Sequence, residues 1–123
     1  MGKINIEESL PTNMKYEEPE SAFLEVFGNS PILRILDFLV INENFEYRLR
    51  DIARLSEVNY LTLKLLWPKL EKQGIVKYTK KAGNEKRYQL NLKNPMAKKF
   101  REFYWQVTHD AVHKMLEEEE ITT

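Results

Sequence analysis

The sequence predicts a mainly α protein with one small antiparallel β-hairpin, an α+β chain closed by a long C-terminal helix. Two short helical runs, LRDIARLSEV and NYLTLKLLWPKLEKQG, are so close together that they must meet at a sharp angle. Behind them, two alternating stretches flank Ala82-Gly83-Asn84-Glu85, as paired strands require. After Asn94-Pro95, a broad apolar band recurs at helical spacing as far as Leu116.

Residues 1–18 are acidic and polar, contain Pro11, and offer only Ile4, Ile6, Leu10 and Met14 as scattered anchors, so a flexible arm is expected. The segment from Pro19 to Phe27 suits a short helix, with proline and acid in its first turn and Gly28 just past its end. Ser30-Pro31 opens the next helix in the order of cap then proline, with Ile32, Ile35, Leu36 and Leu39 as its core stripe. Leu33, Phe38 and Val40 lie off that stripe, which predicts burial on more than one side. Phe45 to Leu49 can supply a short strand that pairs with the hairpin.

In the first run of the angled pair, Leu49, Ile52, Ala53 and Val58 can share one face. Asn59 is a good N-cap for the second, because its side-chain oxygen can accept from unpaired first-turn amides, and Gly74 stands where a C-terminal stop belongs. Leu63, Trp67 and Leu70 should face the core with Leu66 beside them. That leaves Tyr60, Leu61, Thr62, Lys64 and Leu65 near the outer N-terminal half. Pro68 removes one backbone donor and is expected to kink the helix. The hairpin tip, Gly83-Asn84, is flanked by Lys80, Lys81, Lys86 and Arg87.

The block DIARLSEVNYLTLKLLWPKLEKQGIVKY, followed by a basic hairpin, resembles the winged helix-turn-helix domain of small prokaryotic, especially archaeal, transcriptional regulators. The resemblance covers roughly Phe27 to Leu92 and is strongest in Leu-Glu-Lys-Gln-Gly-Ile-Val, which leads straight into the hairpin. It implies a second helix laid in the DNA major groove and a wing touching the adjacent backbone. Two positions depart from the family pattern. Arg48 replaces the usual Ser or Thr cap, and Glu57 stands where many members have glycine, so Glu57 is expected to hold a left-handed backbone.

Charge supports the same partner. The 123 residues have a net charge of zero, but residues 1–47 hold three basic and nine acidic side chains, 48–87 hold eleven and four, and 88–123 hold five and six. The middle segment is therefore at +7, coincides with the angled helices and hairpin, and is the footprint of a phosphate-contacting face. The expected DNA contacts are Arg48, Arg50, Asn59, Tyr60, Leu61, Thr62, Lys64, Leu65, Lys69, Lys80, Lys81, Lys86 and Arg87. Lys64 can reach guanine or phosphate, Thr62 several base edges, and the leucines thymine methyls.

The last helix is expected to run from Asn94-Pro95 as far as Glu120, about 40 Å at ~1.5 Å per residue. Its band of Ala97, Phe100, Phe103, Tyr104, Val107, Ala111, Val112, Met115 and Leu116 calls for a partner. Pairing with the same helix of a second subunit is the expectation, with Phe100, Phe103, Tyr104, Val107, Ala111 and Met115 in the interface, and folding back over its own domain is the alternative. The resulting domain organisation is an arm at 1–18, the helix-turn-helix domain with its short first helix at 19–93, and a dimerisation helix and tail at 94–123.

Other chemistries find little support. There is no cysteine, which excludes disulfides and thiolate sites. His109 and His113, one turn apart, form only a weak metal candidate, so no metal and no cofactor are expected. A phosphate loop, a dinucleotide turn, HExxH and a serine elbow are all missing, which argues against an enzyme. No apolar run nears the ~20 residues that span a bilayer, and no secretory order opens the chain, so a cytoplasmic protein is expected. The leading reading is a homodimeric regulator of duplex DNA, more often repressing than activating. The rivals are a protein-interaction module using Leu61 and Leu65, and a metal- or ligand-responsive regulator of the same fold.

Overall fold

The computed structural model describes residues 20–122, so the expected arm at 1–18 lies outside the described residues. In chain order the elements are α1 (Ala22–Phe27), α2 (Pro31–Ile41), α3 (Leu49–Leu55), α4 (Tyr60–Lys72), β1 (Val76–Ala82), β2 (Glu85–Leu90) and α5 (Pro95–Thr122). No described helix is long and apolar enough to cross a membrane.

The first helix starts later than expected, and the second starts where expected but without its side-chain cap bond. α1 begins at Ala22, where the Ser21 side chain accepts from the Leu24 amide at 3.2 Å. Ser30 precedes α2 as expected but makes no side-chain cap bond; the chain enters through Pro31, whose missing N–H needs no partner there. Ile35, Phe38, Leu39 and Val40 of α2 are all buried, and Ile32, Leu33 and Leu36 pack against the same core. Burial on several sides is the consequence of position: α2 touches α1, α3, α4, α5 and β2.

The turn between α3 and α4 is built by backbone geometry. Ser56 ends α3, Glu57 follows with φ 58°, the Val58 amide donates to the Ala53 carbonyl at 2.8 Å, and the Glu57 amide to Arg54 at 3.2 Å. That is the Schellman pattern, normally closed by glycine, here held by a glutamate. The same motif closes α4, with Gly74 at φ 72° and the Ile75 amide donating to Leu70 at 3.0 Å. A side chain at Gly74 would meet the Asn94 amide nitrogen at 2.9 Å. Asn94 needs that approach: it donates to the Gln73 carbonyl while its oxygen caps α5 through Met96 and Ala97. α4 is one helix through Pro68.

β1 and β2 pair antiparallel, and Tyr47 adds a single bridge on the other edge of β2, exchanging both backbone bonds with Tyr88. This is the short third strand expected of Phe45 to Leu49, reduced to one residue. β2 ends at Leu90: the Asn91 amide still donates to the Ile75 carbonyl, but the Ile75 amide is spent on Leu70 and cannot return the bond, while the Asn91 side chain donates to the Gly74 carbonyl. Trp67 stands edge-on to Tyr88 at 5.3 Å and joins α4 to the sheet.

The long helix requires a correction. Tyr104 was expected in a subunit interface, yet it is 1% exposed within this chain's own core and donates to the Asp37 carboxylate at 2.7 Å. Ala97 is buried too, and Phe100 and Val107 pack on the core beside it. Phe23 of α1 meets Phe100, Phe103 and Tyr104 at 5.3, 6.4 and 5.3 Å. The physical reason is α1, whose aromatic face supplies the apolar surface that the first half of α5 needs. The expected boundary between 93 and 94 is accordingly not a break in packing. From Val112 onward, the described side chains of α5 are exposed.

Candidate nucleic-acid interface

Helix α4 divides its side chains as the spacing demands. Leu63, Trp67 and Leu70 are buried, while Leu61 and Leu65, on the opposite side, are 67% and 76% exposed. Asn59 caps the helix, its side-chain oxygen accepting from Leu61 at 2.8 Å and Thr62 at 3.4 Å. That oxygen is therefore committed to the backbone, and the amide N–H groups are what Asn59 can offer a ligand. Lys64 is exposed and lies 4.8 Å over the Tyr60 ring; Lys69 is exposed, and Thr62 is half-buried.

The hairpin is less regular than simple alternation. A bulge at Thr79 shifts the register, so that Tyr78 faces Tyr88 but Lys80 faces Arg87 and Lys81 faces Lys86. The Thr79 hydroxyl donates to the Arg87 carbonyl at 3.2 Å, which occupies the extra residue. The turn has positive φ at Gly83 and not at Asn84, the primed two-residue geometry that suits strand twist. Lys80 and Arg87 are thus opposed directly across the ribbon, a like-charge pairing that disfavours the hairpin by itself. Lys86 lies 5.9 Å over the Tyr78 ring.

The base of the wing is tied to the helices by charge. Arg48 donates to Asp51 at 2.8 Å and to Glu85 at 2.8 Å, and Arg50 reaches Glu85 at 3.0 Å. Asp51, then Glu85, hold the Arg48 guanidinium above its ordinary range, and Arg48 in turn holds the Asp51 carboxyl below the usual carboxylate range. Lys80 pairs with Glu46 at 3.3 Å. Of the expected contacts, then, Arg48, Arg50 and Lys80 already have carboxylate partners. Lys64, Lys69, Lys86 and Arg87 enter no ion pair among the described residues.

Sequence reasoning missed Glu46 and Glu85 as anchors of the wing, and Tyr78 as the platform beneath Lys86. Each depends on contacts between distant segments. It also missed Glu43, which clamps Arg101 of α5 through both carboxylate oxygens while its carbonyl accepts from Gln89 at 2.6 Å. This holds the loop before α3 against the sheet and α5. The His109 and His113 rings lie 4.5 Å apart on exposed helix, and among the described residues no three His, Cys, Asp or Glu side chains converge as a metal site.

No protein-family model and no curated protein sequence matches the chain. Solved structures do. MepR, a transcription regulator of the Staphylococcus aureus multidrug efflux pump MepA, superposes with a TM-score of 0.55 at 20% identity, over 82% of this chain and 78% of its own. NadR in complex with 4-hydroxyphenylacetate gives 0.53 at 19% identity, over 92% and 91%. Lactococcus lactis ZitR, a C30S mutant bound to DNA, gives 0.50 at 13% identity over 67% of this chain and 57% of its own. At these identities the likeness establishes the fold, which is that of the winged helix-turn-helix.

Proposed function

We propose that the protein is a transcriptional regulator that binds double-stranded DNA, with α4 entering the major groove and the β1–β2 wing lying on the phosphate backbone. The observation that carries this reading is the wing's register, with Lys80 opposite Arg87. Like charges directly opposed across a ribbon oppose its pairing, and a polyanion lying along the ribbon converts that repulsion into attraction. The fold shared with ZitR, which has been seen on DNA, and with MepR, a transcription regulator, is consistent with it.

In this reading Tyr60, Leu61, Thr62, Lys64 and Leu65 face base edges. Asn59, Lys69 and the wing cations contact phosphates, and Arg48 and Arg50 fix the wing's angle through Glu85. The exposed end of α5, with Val112, Met115 and Leu116, pairs with its copy in a homodimer, which presents two copies of α4 to a two-fold site. Occupying such a site blocks transcription, so repression is the expected output.

A salt titration of duplex binding tests the assignment. Replacing Lys80, Lys81, Lys86 and Arg87 by alanine should weaken binding to every sequence and reduce the slope of log K against log salt by up to about 3 to 4 per wing. If the quadruple variant bound as tightly and as steeply as wild type, the wing would have no part in binding.

A further inference from the structure

Resting on the reading of α4 as the groove-entering helix, we infer that Leu61 and Leu65 select sites by the C5-methyl group of thymine, which makes them the specificity-determining residues. They are the two most exposed large apolar side chains among the described residues, at 67% and 76%. They lie one turn apart on the face opposite Leu63, Trp67 and Leu70. Helix formation and core packing explain neither of them.

Their surroundings indicate the occupant. Lys64, Lys69 and Lys72 of the same helix stand around the pair, and Lys72 falls on the stripe that runs Leu61, Leu65, Pro68, Lys72. Whatever covers the leucines must also receive cations on either side. A groove floor between two rows of phosphates does both, whereas an apolar protein cleft needs an added acidic rim.

The chemistry of the helix then narrows the preference. In the major groove, thymine alone among the four bases presents an apolar group. Asn59, the one side-chain amide at this end of α4, has its oxygen held by the Leu61 and Thr62 backbone, so it cannot make the two-bond contact to adenine. No carboxylate stands on the outward stripe to accept from cytosine. Four residues of helix rise about 6 Å, close to two base steps of about 3.4 Å, so the leucines meet thymines roughly two steps apart.

The test uses the full-length chain and a duplex recovered from a random library. Thymines of the bound site are replaced one at a time by deoxyuridine, which removes the methyl and leaves base pairing intact. Wild type should lose about fourfold in affinity at each contacted thymine, the value of one buried methyl group. Cytosine to 5-methylcytosine at the same positions should recover a similar factor. The Leu61→Ala/Leu65→Ala variant should become indifferent to deoxyuridine while keeping the wild-type salt slope and melting temperature, since both side chains lie outside the core.

Wild-type indifference to deoxyuridine at every position of a selected site would overturn the inference and leave the DNA-binding reading standing. Unchanged duplex affinity in the double alanine variant would do the same, and would assign the leucines to a protein partner. Absence of duplex binding even at low salt would instead sink the proposed function itself.

Discussion

Arg48 and Glu85, 37 residues apart in the chain, are joined at 2.8 Å, and the bond fastens the start of α3 to the first residue of β2. Glu85 also receives Arg50 at 3.0 Å, so one carboxylate restrains two guanidinium groups beside the wing. Glu85→Ala should release both for phosphate, steepening the salt dependence of duplex binding by about one to two units of slope. A slope unchanged or shallower than wild type would show that these arginines face away from the ligand.

The Arg48–Asp51 pair sets a pH dependence. Because Arg48 holds the folded Asp51 carboxyl below its unfolded value of about 3.9, the pair's contribution is complete at neutral pH. It is lost as pH falls through the folded value. Thermal melts of wild type and Asp51→Asn at constant ionic strength should differ most at about pH 6 to 7 and converge well below about pH 4. A gap that persists unchanged into acid would assign the difference to packing.

Glu57 occupies the left-handed region at φ 58°, where an L side chain crowds its own backbone. Glu57→Gly relieves this but adds freedom to the unfolded chain, for a net gain of up to about 1 kcal/mol. Glu57→Val, branched at Cβ, should lower the melting temperature instead. Equal melting of the two variants would remove strain from the account of this turn.

Tyr104→Phe deletes the hydroxyl that donates to Asp37 at 2.7 Å while keeping the ring among Phe23, Phe100 and Trp105. Burial first, and then that bond, push the Tyr104 phenol up, so it donates throughout the physiological range. Losing a buried bond to a carboxylate should cost about 1.5 to 3 kcal/mol in urea unfolding, with the denaturant slope unchanged. A loss under about 0.5 kcal/mol would mean that the Ser21 hydroxyl, 2.5 Å from the same Asp37 oxygen, suffices.

Val112 and Met115 are exposed on the part of α5 that runs beyond the core. The double variant Val112→Asp/Met115→Asp should sediment as a monomer where wild type sediments as a dimer, and its half-site affinity should be retained. Wild-type sedimentation as a monomer at concentrations well above those used for DNA binding would refute the two-fold arrangement.

The elements of this chain could be read from local rules. Asn59 and Gly74 bound α4 because a cap oxygen and a left-handed stop act over a few residues, and Leu63, Trp67 and Leu70 had to be buried because their spacing gives one face. The left-handed Glu57 followed from the family resemblance, since it stands where many members have glycine. Arg48's lack of a cap bond followed from its chemistry, since guanidinium cannot accept.

What no local rule contains is decided by the meeting of distant segments. Periodicity shows that α5 has an apolar band, but only the arrival of Phe23 on it reveals that Tyr104 belongs to this chain's own core. Alternation shows a ribbon, but the bulge at Thr79, and with it the opposition of Lys80 to Arg87, is seen only in how β1 pairs with β2. Secondary structure follows from interactions a few residues long; the register of charges on a surface follows from contacts that loop closure brings together only after folding.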